Sequence, residues 1–400
     1  MDTVKLPDGY ILKNSCKPIH GFKYNHPFDG HGLVNRIKIH DNTFTYKGIR
    51  VKTEHYKLEK AERKMIFRGL NTNVHRIHMG SLFIQNFSNI SVFCHNDEIQ
   101  TMSEGGIPYL IDVESGETIG RKFKAVPPLV PFFPISAHPK VDNGKAVNVS
   151  CLMNGLILFD DDGIITTEIF PDLKQYYFHD FHITDKYYVF YLNRVSMDIA
   201  SMYGKATVLE GTHLEKGNKV LLIDKETKER SYFDLPEYYD HNALHIATAK
   251  ETRSAVTMYL SFIPDNFDMS DLDSPHDFSG CYFHKVTLDT KTKEVTCTKL
   301  SNVSGEMPVC TGDKVFIINT HTLSMFDTVK DIHYTKDFGN RIIEEPVAHG
   351  NTLFVISHGS YDSYDTIIHV LDTESMEEIH THTFPFVIPH GFHGTFLPIQ

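Results

Sequence analysis

The chain has no tryptophan among its 400 residues and only six cysteines. Those cysteines (Cys16, Cys94, Cys151, Cys281, Cys297 and Cys310) form no CxxC pair and no regular frame. The spacing speaks against a cysteine-based zinc site and a disulfide scaffold, so reduced thiols and a cytoplasmic location are expected. No run of about 18 apolar residues exists, the length that would suggest a membrane-spanning helix. Residues 1–10 lack the apolar stretch of a signal peptide. Lysine and arginine (39) are outnumbered by aspartate and glutamate (51), for a formal net charge of −12. That balance argues against nucleic acid as a main partner, because phosphate binding wants a surplus of cations. Glycine (25) and proline (18) are at ordinary levels, and no Gly/Ser-rich or Pro-rich linker divides the chain. Helical patterning is scarce as well: the short charged stretch 56–64 is the best helix candidate.

What is present is mostly strand. Phe28-Asp29-Gly30-His31-Gly32 reads as a glycine-rich turn, and Leu33 to Ile39 then largely alternates apolar and polar residues, the period of a strand. A loose repeat follows. Leu110-Ile111-Asp112, Leu222-Ile223-Asp224, Thr287-Leu288-Asp289 and Val370-Leu371-Asp372 each lead through a polar turn into another strand-like run. An aspartate there can bond the backbone two residues on, so each unit predicts strand, Asx turn, strand. Many short hairpins over one long chain point to radially repeated four-stranded sheets, a β-propeller. Two stacked β-sandwich domains are the alternative architecture. The expected layout is one domain over 1–400, with residues 1–25 as an N-terminal extension.

Two features stand out from this background. Val126 to Ile135 holds four prolines, which exclude helix and central strand. It reads as an apolar loop that either packs on its own domain or lines a tunnel or lipid-facing patch. Histidine is also abundant, 25 residues, so no single one is informative. His138 precedes a proline, which biases it to an extended backbone. His179 and His182 share a strand-like run, and His245 lies in another. His390 and His393 alternate with Gly391 and Gly394 after Pro389, in a stretch where the glycines are expected to permit backbone conformations closed to other residues. Each histidine alone reads as a core or turn residue. Together, imidazoles from several blades could form a metal cage, and imidazole binds iron readily.

The motifs in order resemble those of the carotenoid cleavage oxygenases, from Phe28 to Thr395. Phe28-Asp29-Gly30-His31-Gly32 resembles an FDGDG turn, and Tyr46 to Glu54 an early strand ending in a Thr-Glu pair. Asn71-Thr72-Asn73 resembles an ANTN segment, and Ser103-Glu104-Gly105-Gly106-Ile107-Pro108-Tyr109 matches EGGLPY. Ala137-His138-Pro139-Lys140, His179-Asp180-Phe181 and Gly391-Phe392-His393-Gly394 match three ligand motifs. The third motif departs most: His245, Thr248 and Glu251 keep its spacing, with Leu and Thr replacing Phe and Asn. His241-Asn242 is a competing alignment, but only His245 brings Glu251 into place.

The resemblance implies a seven-bladed β-propeller with an axial iron(II) held by His138, His179, His245 and His393. It implies that Glu104, Glu306 and Glu345 support the ligands from behind, and that His182, His241 and His390 are not ligands. The implied activity is oxidative cleavage, by dioxygen, of a C=C bond in an apolar polyene such as a carotenoid or apocarotenoid, giving aldehyde or ketone products. A stilbene-cleaving enzyme is the nearest rival. Those enzymes carry a lysine and a tyrosine where this chain has Ser103 and Arg50, which favours the polyene. A non-catalytic propeller binding apolar ligands is the rival from another class. Phe132 and Phe133 are expected to line the substrate tunnel or its mouth, with peripheral membrane contact there.

Overall fold

The computed structural model describes residues 4–74, 85–104, 106–123, 134–152, 154–172, 174–198, 201, 206–265, 277–359 and 364–399. The strands assemble into seven antiparallel sheets, and the fold is the expected seven-bladed β-propeller. By internal contacts the chain divides into two compact units. One comprises 1–133, 272–277 and 309–400, the other 134–271 and 278–308.

In the first unit, one sheet runs Thr43–Arg50, His31–His40, Gly9–Lys17, Gly391–Pro398. The first strand of the chain thus lies between the second and the last. Within the expected extension 1–25, Gly9–Lys17 is thus an inner strand of this sheet. Gly9–Lys17 is buried along its first seven residues, including Lys13, Asn14 and Ser15. A strand buried on both faces loses the alternation that marks a strand in sequence, and these three polar residues disguise it further. Ile11, Ile37, Phe354, Ile368 and Phe396 form one core cluster here; Tyr10, Leu12, Val34 and Ile111 belong to another.

In the second unit, Lys140–Asp142 to Gly163–Ile169 form one four-stranded sheet. Ile246–Glu251 to Val295–Ser304 form another. A third sheet is centred on the long strand Tyr187–Met197. Val189, Val220, Met258 and Val286 pack in one of its clusters, and Leu158, Phe181, Phe190 and Ile223 in another.

All four expected Asx turns are present. The side chains of Asp112, Asp224, Asp289 and Asp372 each accept from backbone N–H groups two or three residues on, at 2.7–3.0 Å. Asp327 makes a fifth, accepting from Val329 and Lys330. In every case the residue four positions after the aspartate has positive φ: Gly116, Lys228, Lys293, Asp331 and Met376. Backbone donation holds all five carboxyls below their ordinary range; for Asp224 it does so against burial, which acts the other way. The repeat seen in the sequence is this turn, and only glycine takes its positive-φ place without strain.

The helix spans Glu54–Glu62, close to the 56–64 expectation. Thr53 caps it by accepting from the Tyr56 N–H at 3.0 Å, so the Thr-Glu pair at 53–54 is a helix start. The Phe28-Asp29-Gly30 turn and the Asn71-Thr72-Asn73 segment meet. Asp29 accepts from Leu70 N (2.6 Å), Asn71 N (3.2 Å) and Thr72 Oγ1 (2.6 Å). Both motifs thus form a clamp inside the first unit.

Candidate metal centre

Three of the four expected ligands converge within the second unit. His138 stands just before the Lys140–Asp142 strand, with its N–H donating to Ser136 Oγ at 3.1 Å. The same hydroxyl donates to the His179 carbonyl at 3.0 Å, which ties the two segments together. Lys140 reaches Asp180 at 2.8 Å, and Asp180 accepts from Ile246 N at 3.2 Å. Asp180 therefore joins all three histidine segments. Burial alone would raise its carboxyl; the Lys140 charge leads the groups that hold it below the ordinary range.

The imidazoles meet at close range. His138 Nε2 lies 2.9 Å from His179 Nε2. Ring centroids are 4.5 Å apart for His138 and His179, 5.0 Å for His138 and His245, and 4.7 Å for His179 and His245. His245 is 4% exposed. Its Nδ1 lies 2.6 Å from Glu306 Oε2, and Glu306 also accepts from the Met307 N–H. Burial pushes the Glu306 carboxyl up, but His245 and the Met307 N–H more than offset it and hold it low. A carboxylate on Nδ1 fixes the proton there and makes Nε2 the lone-pair nitrogen. His179 Nδ1 has a different partner, the Tyr177 hydroxyl at 3.2 Å. Neither Tyr177 nor Asp180 was assigned a role from the sequence, although both flank His179.

His241, the competing candidate, is not in this cluster: its Nδ1 lies 3.0 Å from Asp265 near the surface. Glu251 ties its strand to a turn in the neighbouring sheet, accepting from Thr184 Oγ1 (2.5 Å) and Lys186 N (3.1 Å). His182 lies on the Phe181–Ile183 strand, and burial pushes it down to about 4.

His393 belongs to the first unit. It sits in the Gly391–Pro398 strand, with Nδ1 2.9 Å from Glu345 Oε1 and its N–H donating to the Ile90 carbonyl. The glycines around it do not have the special backbone expected, since neither Gly391 nor Gly394 has positive φ. They are required by space. A Cβ on Gly394 would come within 2.4 Å of the Leu12 carbonyl, and one on Gly391 within 2.9 Å of Lys13 Cβ. His390 lies 3.7 Å from Glu344, beside His358.

Glu104 is half-buried just after the Glu98–Met102 strand, in the first unit. Ser103 accepts from Ser88 N at 3.2 Å and donates to Asn86 at the same distance. Arg50 donates to the carbonyls of Lys17 and His31. Phe132 and Phe133 lie outside the described residues. All six cysteines are free, and no helix among the described residues is long and apolar enough to cross a membrane.

A group of three imidazoles, His245 buried and the other two half-buried, with donor atoms within 4.8 Å of one another and one nitrogen backed by a carboxylate, suits a metal such as iron, zinc, copper or nickel. Known proteins resemble this chain over part or most of its length. The apocarotenoid-15,15'-oxygenase of Synechocystis is 28% identical over 228 residues, 51% of this chain and 46% of that protein. Resveratrol cleavage oxygenase 1 of Botryotinia fuckeliana is 29% identical over 34% of this chain and 24% of its own length. The carotenoid 9,10(9',10')-cleavage dioxygenase 1 of Phaseolus vulgaris is 22% identical over 95% of this chain and 81% of its own. The chain thus spans about half, or less, of the first two. A solved structure of cobalt-substituted Synechocystis ACO superposes with a TM-score of 0.83 at 19% identity, covering 99% of this chain and 94% of that one. Residues 5–329 match the family described as retinal pigment epithelial membrane protein, and the chain belongs to this family of carotenoid cleavage oxygenases.

Proposed function

We propose that the protein is an iron(II)-dependent dioxygenase that cleaves a C=C bond of a carotenoid or apocarotenoid into aldehyde or ketone products. The observation that carries this reading is the convergent His138–His179–His245 group with buried Glu306 behind His245. His393, held on Nδ1 by Glu345, is the fourth ligand of the proposal, on the strength of its motif and of the same carboxylate-on-Nδ1 arrangement. When bound, iron(II) supplies the activation of dioxygen that alkene cleavage needs.

The residues of this chain do the rest. Glu306 and Glu345 keep the proton on Nδ1, so Nε2 of His245 and His393 stays a lone-pair donor. Tyr177 orients His179, and Asp180 with Ser136 fixes the spacing of the three segments. Four neutral imidazoles add no negative charge to the centre, and no acid or base is needed at the alkene. Glu104 supports a ligand in the same way in this reading. Phe132 and Phe133 hold an apolar substrate at the tunnel or its mouth, where the protein touches a membrane or micelle.

A stilbene substrate is less well supported. Arg50 is engaged with backbone carbonyls, and Ser103 is buried in a hydroxyl–amide network, so neither position offers a tyrosine or lysine to activate a phenol. Aerobic incubation of the iron-loaded protein with carotenoids, apocarotenoids and stilbenes, with product masses read out, tests the proposal. Aldehydes or ketones from a polyene support it. Cleavage of stilbenes alone, or no cleavage with iron absent at purification, overturns it.

A further inference from the structure

We propose that Lys13 is a positioning residue for His393, acting through the strand and the two glutamates that hold it. The inference rests on the reading of His393 as a metal ligand. Lys13 is 1% exposed and pairs with Gly394 in the ladder between Gly9–Lys17 and Gly391–Pro398. A lysine buried this deeply is costly unless its charge is matched and its donors are used.

Its stem fills the space that side chains at two glycines would take. A Cβ on Gly391 would lie 2.9 Å from Lys13 Cβ and 3.1 Å from Cε, and one on Gly394 2.6 Å from Lys13 Cγ. The two glycines bracket Phe392 and His393. The ladder register also slips between Lys13 and Ser15, opposite this same segment. Such a bulge re-aims the side chains of the strand that carries the extra residue.

The ammonium then binds two consecutive glutamates. It lies 3.2 Å from Glu344 Oε2 and donates to the backbone carbonyl of Glu345. Each glutamate returns to the His393 strand. Glu344 Oε1 accepts from the Gly391 N–H at 2.8 Å, and the Glu345 carboxylate holds His393 Nδ1. One buried cation thus fixes the segment under His393 and the carboxylate behind it.

Glu344, His358 and His390 have donor atoms within 4.8 Å of one another, a two-histidine, one-carboxylate set that could suggest a second metal. Lys13 decides against that. Its ammonium already balances the Glu344 carboxylate, and a dication there would face a buried positive charge at short range. His358 Nε2, 2.6 Å from Glu344 Oε1, adds a hydrogen bond to the same carboxylate.

The double variant Lys13→Met/Glu344→Gln tests this, because it removes both charges at nearly constant shape and leaves no lone buried ion. The readouts are cobalt(II) affinity by titration, the visible absorption of the cobalt-loaded protein, and the melting of the metal-free protein. The expected result is a cooperative metal-free melt, with cobalt affinity at least about 10-fold weaker, as for loss of other residues that orient ligands, and a shifted absorption band. Wild-type affinity and spectrum in the folded variant would overturn the proposal. Lys13→Arg, which keeps the charge and moves the donors, gives the same decision if the double variant does not fold. Two cobalt ions per wild-type chain, with one lost in His358→Ala, would overturn it by making the network a metal site. Wild-type cobalt affinity in His393→Ala would instead remove the ligand reading, and the role of Lys13 with it.

Discussion

At the scale of single residues, the nitrogen that a histidine turns to its neighbour decides what it can do. His245 and His241 are four positions apart, yet one is buried with a carboxylate on Nδ1 and the other pairs with Asp265 near the surface. His245→Ala is expected to abolish stoichiometric iron, and His241→Ala to leave it, measured by elemental analysis. Glu306→Gln should weaken iron binding by about 10–100-fold without eliminating it, since the glutamate tunes a ligand. Equal iron affinity in wild type and Glu306→Gln would contradict that role. Glu344 supplies a test in acid. Burial acts to raise its carboxyl; Lys13, then the His358 bond and the charges on His390 and His358, bring it from 4.5 down to about 2. A carboxyl depressed in the folded state stabilises above its unfolded pKa and loses that contribution as pH falls through the folded one. Glu344→Gln should therefore flatten the fall of the melting temperature between about pH 4.5 and 2, the range set by those two pKa values.

At the scale of elements, the hairpin turns were the most legible part of the chain. An aspartate followed by two or three polar residues shows its turn locally, because donor and acceptor are at most three residues apart. Asp224 accepts two backbone N–H groups at 2.9 Å and pairs with Lys186. Asp224→Ala should cost about 1–3 kcal/mol in urea unfolding, the range for removing one partner of such hydrogen bonds. The motif order also led to three histidines that the structure places together, to Glu306 behind one of them and to Glu345 behind His393. Long-range partners were not legible. Nothing local in Lys13-Asn14-Ser15 tells of a partner 331 positions away at Glu344. Tyr177 carries no signal of its own, because its hydroxyl reaches a ring only two residues along, in a stretch that reads as plain strand alternation.

At the scale of the whole molecule, the placement of Gly9–Lys17 between His31–His40 and Gly391–Pro398 makes the beginning of the chain structural. A protein lacking residues 1–17 is expected to lose its cooperative thermal transition by circular dichroism. One lacking residues 1–5 should retain it, since Leu6 is the first core residue among those described. Cooperative melting of the longer deletion would mean that the sheet tolerates the loss of an inner strand.

That same sheet sets an order of events during synthesis. The strand Gly9–Lys17 leaves the ribosome before its neighbour Gly391–Pro398, which follows about 370 residues later. At about 5–20 residues per second, the early strand waits roughly 20–70 s with one edge open. During that time Lys13 has neither Glu344 nor the two glycines to lie against. Pairing so distant in sequence is slow to form and exposes an edge to other chains. The strand that completes the sheet also carries His393, so a translating chain cannot present this histidine until the sheet is ready to close. Loading of the proposed metal centre is thereby deferred until Gly391–Pro398 has been made and has paired with Gly9–Lys17.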